Sequence, residues 1–141
     1  MRKIYLLDTN IISEFGKNNP NPAVVRKVNE YRGMCAICSI VWQELIYGLE
    51  LMPEGRRKEY VENLISSVKE LYDIISYDSL ASQICGELSA KCEKIGKTVP
   101  HYDSQIAATA IANNMILVTH NTKDFESIAE NSMLQMEDWW E

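Results

Sequence analysis

Four short strand-like runs, each followed by a helix-patterned stretch, are what most constrain this chain. They are Lys3–Leu7, Met34–Ile40, Asp73–Tyr77 and Met115–Thr119. Runs of this length, mostly apolar and free of clear alternation, suit strands covered on both faces of a sheet. Helical segments lie between them: Asn10–Phe15, Pro22 to about Gly33, Trp42–Met52, Arg56–Leu71, a long helix from Asp78 or Ser79 to near Gly96, and Asp103–Asn114. Strands separated by helices of that length call for parallel crossovers, so the pattern predicts an α/β fold with a mostly parallel sheet. A helical turn at Asp124–Ile128 and a short fifth strand at Met133–Met136 complete it. With 141 residues and no linker or repeat, the chain reads as one domain over 1–141.

In open α/β sheets, functional groups gather beyond the carboxyl ends of the strands. Asp8 follows the first strand directly, and Asp124 comes shortly after the fourth. Asp103 begins a helix whose Ala107, Ala110 and Ile111 share its face. Each of these three has an ordinary explanation as a helix cap. Glu44 is different. On its helix it falls among Ile40, Val41, Tyr47, Gly48 and Leu51, and a carboxylate inside an apolar stripe is costly unless paired or bound to metal. Gly48, one turn on, leaves room beside it. Asn10, Thr119 and Asn121 are short hydrogen-bonding residues at the same strand ends, suited to holding a carboxylate, a water or a phosphate. Asp78 also follows a strand, and reads as the cap of the next helix.

Four clustered carboxylates need a cation, because like charges at close range destabilise each other's ionised forms. Oxygen-only ligands favour Mg²⁺, or Mn²⁺, over zinc. The fitting chemistry is metal-assisted phosphodiester cleavage, with Asp8, Glu44, Asp103 and Asp124 as ligands. The net charge of −6 opposes nucleic-acid binding by bulk electrostatics. Setting aside those four of the 20 acidic residues leaves 16 against 14 basic, a net of −2. Much of the acidity is then local to one pocket. Arg56-Arg57-Lys58 opens a helix and reads as a solvated end, or as a contact to an RNA backbone. His101 and His120 receive no catalytic role.

Other chemistries lack their signatures. Cys35 and Cys38 have zinc-like spacing, but residues three apart in a strand point to opposite faces. With Cys85 and Cys92 they read as buried free thiols. There is no glycine-rich phosphate loop. A phosphatase of the haloacid dehalogenase type wants a second Asp two residues after Asp8, where Asn10 stands. Neither a signal peptide nor a stretch of membrane-spanning length is present, which places the protein in the cytoplasm with no membrane partner.

Several motifs together resemble one family. Leu7-Asp8-Thr9-Asn10 leading into Ile11-Ile12-Ser13-Glu14 opens it, and Trp42-Gln43-Glu44-Leu45 with Gly48 follows. Pro100-His101-Tyr102-Asp103 leads into Ile106-Ala107-Ala108. Val118-Thr119-His120-Asn121 leads into Asp124-Phe125, and Asp138-Trp139-Trp140-Glu141 ends the chain. Nearly end to end, the chain resembles PIN-domain ribonucleases of the VapC toxin type, closest to the FitB-like members. The resemblance implies a five-stranded parallel sheet of order 3-2-1-4-5, an order that the sequence does not give by itself. It implies Mg²⁺ held by Asp8, Glu44, Asp103 and Asp124. It further implies an endoribonuclease toxin with tRNA as the first substrate to test. Its partners would be a second copy of the chain and a small antitoxin that carries the complex to operator DNA. The competing expectation is a dimeric binding subunit that supports repression by its partner, with nuclease activity secondary.

Overall fold

The computed structural model describes residues 2–140. Met1 and Glu141, the ends of the expected domain and of its closing motif, lie outside the described residues. The elements are β1 (Tyr5–Leu7), α1 (Thr9–Phe15), α2 (Pro22–Glu30), β2 (Cys35–Cys38), α3 (Ser39–Leu51), α4 (Arg56–Leu71), β3 (Asp73–Ile75), α5 (Ser79–Lys94), α6 (His101–Ala112), β4 (Ile116–Val118), α7 (Glu126–Glu130) and β5 (Gln135–Glu137). All strand pairings are parallel and the order is β3-β2-β1-β4-β5, as expected from the resemblance.

The central strands carry the core. Leu6, Leu7, Cys35, Ala36, Ile37, Cys38, Leu117 and Val118 are all completely buried. Continuous burial on both faces explains why these runs show no alternation. Helices cover them with Ile11, Ile12, Val24, Val41, Val68, Cys92, Ile106 and Ala107, among others. All four cysteines are buried and free, as expected. Among the described residues, no helix is long and apolar enough to cross a membrane.

Local chemistry fixes the element ends. Asn21 caps α2, its Oδ1 accepting from the Ala23 and Val24 amides, and Pro22 occupies the first helical position. Asp78 caps α5 through the Ala81 amide at 3.0 Å. That helix stops where Gly96 takes a φ of +78°, with the Lys97 amide donating back to the Cys92 carbonyl at 2.8 Å.

Several expected boundaries move. The second strand ends at Cys38, so Ile40 lies in the first turn of α3 and not in a strand. The sixth helix starts at His101, directly after Pro100; Asp103 is its third residue and not its cap. Asp124 lies within a 3-10 turn, Thr122–Phe125, that precedes α7.

The loop after α1 is held by Glu14. Its carboxylate is buried and accepts from the Asn21 amide at 2.7 Å while pairing with Lys17 at 2.9 Å. The Lys17 hydrogen bond, followed by the Asn21 amide, lowers the Glu14 pKa. At the other end of the chain, Trp139 is buried beneath Tyr5 and Tyr31, with ring centroids 5.3 and 5.9 Å away. Its Nε1 donates to Glu137 at 3.0 Å. This aromatic cluster ties the segment after β5 to the middle of the sheet.

Candidate active site

A parallel sheet brings all its carboxyl ends to one side. There β1 delivers Asp8, α3 delivers Glu44 and α6 delivers Asp103. These three, with Thr9, Asn10, Ser13 and Asn121, line a cleft of about 300 Å³. Asp124 is not on its wall. It is exposed at the rim, near enough that its charge acts on both Asp8 and Asp103.

Asp8 is held from several directions. Its Oδ1 accepts from the Thr9 amide at 2.8 Å, and its Oδ2 from the Thr119 hydroxyl at 2.8 Å. Asn10 braces the same carboxylate: its Nδ2 lies 3.4 Å from Asp8 Oδ2 and 3.3 Å from Thr119 Oγ1, while its Oδ1 accepts from the His120 amide at 3.3 Å. The Thr119 hydroxyl also accepts from the Asn121 amide at 3.1 Å. Asp8 therefore caps α1 and faces the cleft together. The capping and site readings of this residue are compatible, since a carboxylate has four lone-pair sites.

The electrostatics are those of an acidic pocket lacking compensation. Burial raises the Asp8 pKa, against the lowering effect of the Thr119 and Thr9 hydrogen bonds, and the Asp124 charge adds to the rise. Burial also raises Glu44, reinforced by Asp8 and Asp103; the nearby Thr9 hydroxyl offsets part of this from outside hydrogen-bonding geometry. Asp103 is pushed up to about 6 by burial, then by Asp8 and Asp124. None of these carboxylates has a basic residue as salt-bridge partner among the described residues.

Glu44 is half-buried, but not for the expected reason. Tyr47 and Leu51, assigned to its apolar stripe, are each 67% exposed, so α3 buries only Ile40, Val41 and Leu49 deeply. Glu44 sits where the helix crosses from core to cleft. A Cβ added at Gly48 would meet no atom within 4 Å, so the open space beside Glu44 does not depend on that glycine. Thr119 is wholly buried beneath the cleft, and Asn121 is exposed at its mouth. Thr9 and Ser13 were not singled out by sequence reasoning. Their spacing of four residues along α1 was the available signal, since it puts both on the cleft side of that helix.

Among the described residues, no three carboxylate, imidazole or thiol groups stand close enough to grip one ion as a ready cage. The donors nevertheless fit a hard divalent cation. Every wall group that could ligate is an oxygen or an amide, the carboxylates repel one another, and the buried Thr9 Oγ1 has no hydrogen-bond partner. Mg²⁺ in particular keeps several waters and takes only one or two carboxylates directly, so it needs no complete protein cage.

A parallel five-stranded sheet with this acidic cleft at its carboxyl edge is the arrangement of a PIN domain. The family model of that name matches residues 5–131, and the chain belongs to this family. Its relatives include several VapC ribonucleases. The tRNA(fMet)-specific endonuclease VapC of Shigella flexneri is 35% identical over 137 residues, covering 96% of this chain and 97% of the relative. Among solved structures, DNA-bound VapBC from Salmonella typhimurium is 28% identical, with a TM-score of 0.85 over 97% of this chain and 98% of that one. FitAcB from Neisseria gonorrhoeae is 27% identical, with a TM-score of 0.86 over 97% and 99% of the two chains.

Proposed function

We propose that this chain is a Mg²⁺-dependent endoribonuclease, the toxin of a type II toxin–antitoxin pair, acting on tRNA in the cytoplasm. The observation that carries the reading is the meeting of Asp8, Glu44 and Asp103 on one cleft without any basic partner. Such a cleft is costly unless a cation fills it. The substrate class is supported by the Shigella relative, whose name specifies a tRNA.

Asp8, Glu44 and Asp103 would hold the cation, with Asp124 joining from the rim. When bound, a divalent cation lowers the pKa of water and offsets charge building on the phosphate. The protein's own task is to place the donors. Thr119 and Asn10 fix the Asp8 carboxylate, and Asn10 also fixes the loop carrying His120 and Asn121. Asn121 offers an amide to a phosphate oxygen at the mouth of the cleft. Mn²⁺ has the same hard-oxygen preference and should substitute.

The partner in this reading is a small DNA-binding antitoxin, which alone carries the complex to operator DNA. Support comes from solved relatives whose structures are DNA-bound VapBC and FitAB complexes. The toxin itself would be a homodimer.

The test uses purified protein freed of its partner. It should cleave tRNA in Mg²⁺, stop when EDTA is added, and resume when Mg²⁺ is restored. Cleavage that continues undiminished in EDTA removes the metal from the mechanism, and no cleavage of any RNA removes the nuclease.

Thr119→Val tests the support under Asp8. It deletes the 2.8 Å hydrogen bond without changing side-chain shape much. Loss of a group that orients a metal ligand typically costs about 10–100-fold in activity or metal affinity. A hydrogen bond to a carboxylate is itself worth about 1.5–3 kcal/mol, which is several degrees of thermal midpoint in a domain of this size. Steady-state cleavage should fall by that factor of about 10–100 at a temperature where the variant is still fully folded. A folded variant that cleaves at the parent's rate, with only its midpoint lowered, would make Thr119 a purely structural residue.

A further inference from the structure

Beside the acidic cleft is a second cavity of about 440 Å³, lined by Gln43, Glu44, Tyr47 and Tyr102. Glu44 lines both spaces, so the two adjoin at that residue. Tyr47 on α3 is 67% exposed and Tyr102 on α6 is 51% exposed. The third exposed tyrosine, Tyr60, has the Arg57 guanidinium over its ring at 5.4 Å. Tyr47 and Tyr102 have neither a cation over the ring nor an aromatic neighbour among the described contacts.

We infer that this cavity is a nucleobase site: Tyr47 and Tyr102 stack an unpaired RNA base next to the phosphate being cut, and Gln43 reads its edge. The inference rests on the nuclease reading above. A site built this way suits an acidic protein. Stacking on a ring face does not depend on positive charge, whereas phosphate contacts do. The Gln43 amide supplies a donor and an acceptor to a base edge. The alternative occupant is a second copy of this chain. A flat apolar seal over the cavity would desolvate Glu44 without pairing it, which is costly. Leu51, the exposed apolar residue one turn beyond Tyr47, is not on the cavity wall.

The experiment reads binding and cleavage separately. Single-stranded RNAs carrying 2-aminopurine at successive positions are titrated onto the Asp103→Asn protein, and the same sequences are given to the active protein with Mg²⁺. At one position next to the cut, stacking should quench the fluorescence. Tyr47→Ala or Tyr102→Ala in that background should weaken binding about tenfold or more, the range of a lost base stack. Tyr→Phe at either site should rescue it. An abasic nucleotide at the quenched position should raise KM for the active protein and make the alanine variants indistinguishable from their parent. Quenching without any cleavage removes the nuclease and keeps the base site. Cleavage with no position-specific quenching overturns the base site. So does an alanine variant that binds normally, or one that changes the oligomeric state in light scattering, which would make the tyrosines a contact between copies.

Discussion

Asp8→Asn is expected to lower kcat for RNA cleavage by at least about a hundredfold while leaving the protein folded. Changes around a metal ligand already cost about 10–100-fold, and this change weakens a ligand itself. The structural half of the prediction comes from the same atoms. An asparagine still offers an oxygen to the Thr9 amide, so the α1 cap survives. What disappears is a buried charge that burial and Asp124 both disfavour, together with the second oxygen that accepts from the Thr119 hydroxyl, so the two losses oppose each other in stability. Cleavage assays beside thermal melts in EDTA decide it. Full activity in Asp8→Asn would end the proposed mechanism. An unfolded variant would show that Asp8 serves the cap first and the cleft second.

The second large effect joins pH to metal. In EDTA the thermal midpoint should fall as pH rises from about 4.5 to about 6. Asp103 titrates near 6 in the folded protein against 3.8 when unperturbed. Between those values the folded state binds more protons than the unfolded one, so stability is lost with rising pH. Asp8 and Glu44 are raised as well and act in the same sense. Glu14 is lowered, so its contribution is present above its unperturbed value and is lost as pH falls through its folded pKa. That opposes the trend below the chosen window and in its lowest part, and fades as Glu14 ionises in the unfolded chain as well. At pH 7, Mg²⁺ at a hundred times its Kd should raise the midpoint by roughly 5–10 °C. Asp103→Asn should flatten the pH slope and reduce the Mg²⁺ shift. A midpoint indifferent to both pH and Mg²⁺ would mean that the carboxylates neither strain the fold nor receive a cation.

The sheet was legible because burial on both faces leaves a simple mark: short apolar runs between helices. Its order was not, since pairing among similar parallel strands is decided by packing between distant segments. It came from the resemblance alone. The meeting of acids at the carboxyl edge followed from the topology, and Asp8, Glu44 and Asp103 do share a cleft. Periodicity misled at Glu44. An apolar stripe does not distinguish residues facing the core from residues facing a groove, so Tyr47 and Leu51 were placed inside when they are outside. Capping preference misled at Asp103, because the helix begins at His101, two residues before the acid that looked like its cap. Thr119 was read as a residue able to hold a carboxylate, and it holds Asp8. That it is entirely buried depends on neighbours that no local pattern reveals.

The hydrogen bond between Asp8 and Thr119 joins residues 111 positions apart. A contact of that separation cannot form until the chain through Thr119 has been made and its closure entropy met. A partly synthesised or partly folded chain therefore has no cleft, however many of its acids are already present. Catalysis would switch on only with the completed fold, and the cleavage rate would count folded molecules. A cell making such an enzyme has the whole folding time in which a partner can reach it before it cuts anything.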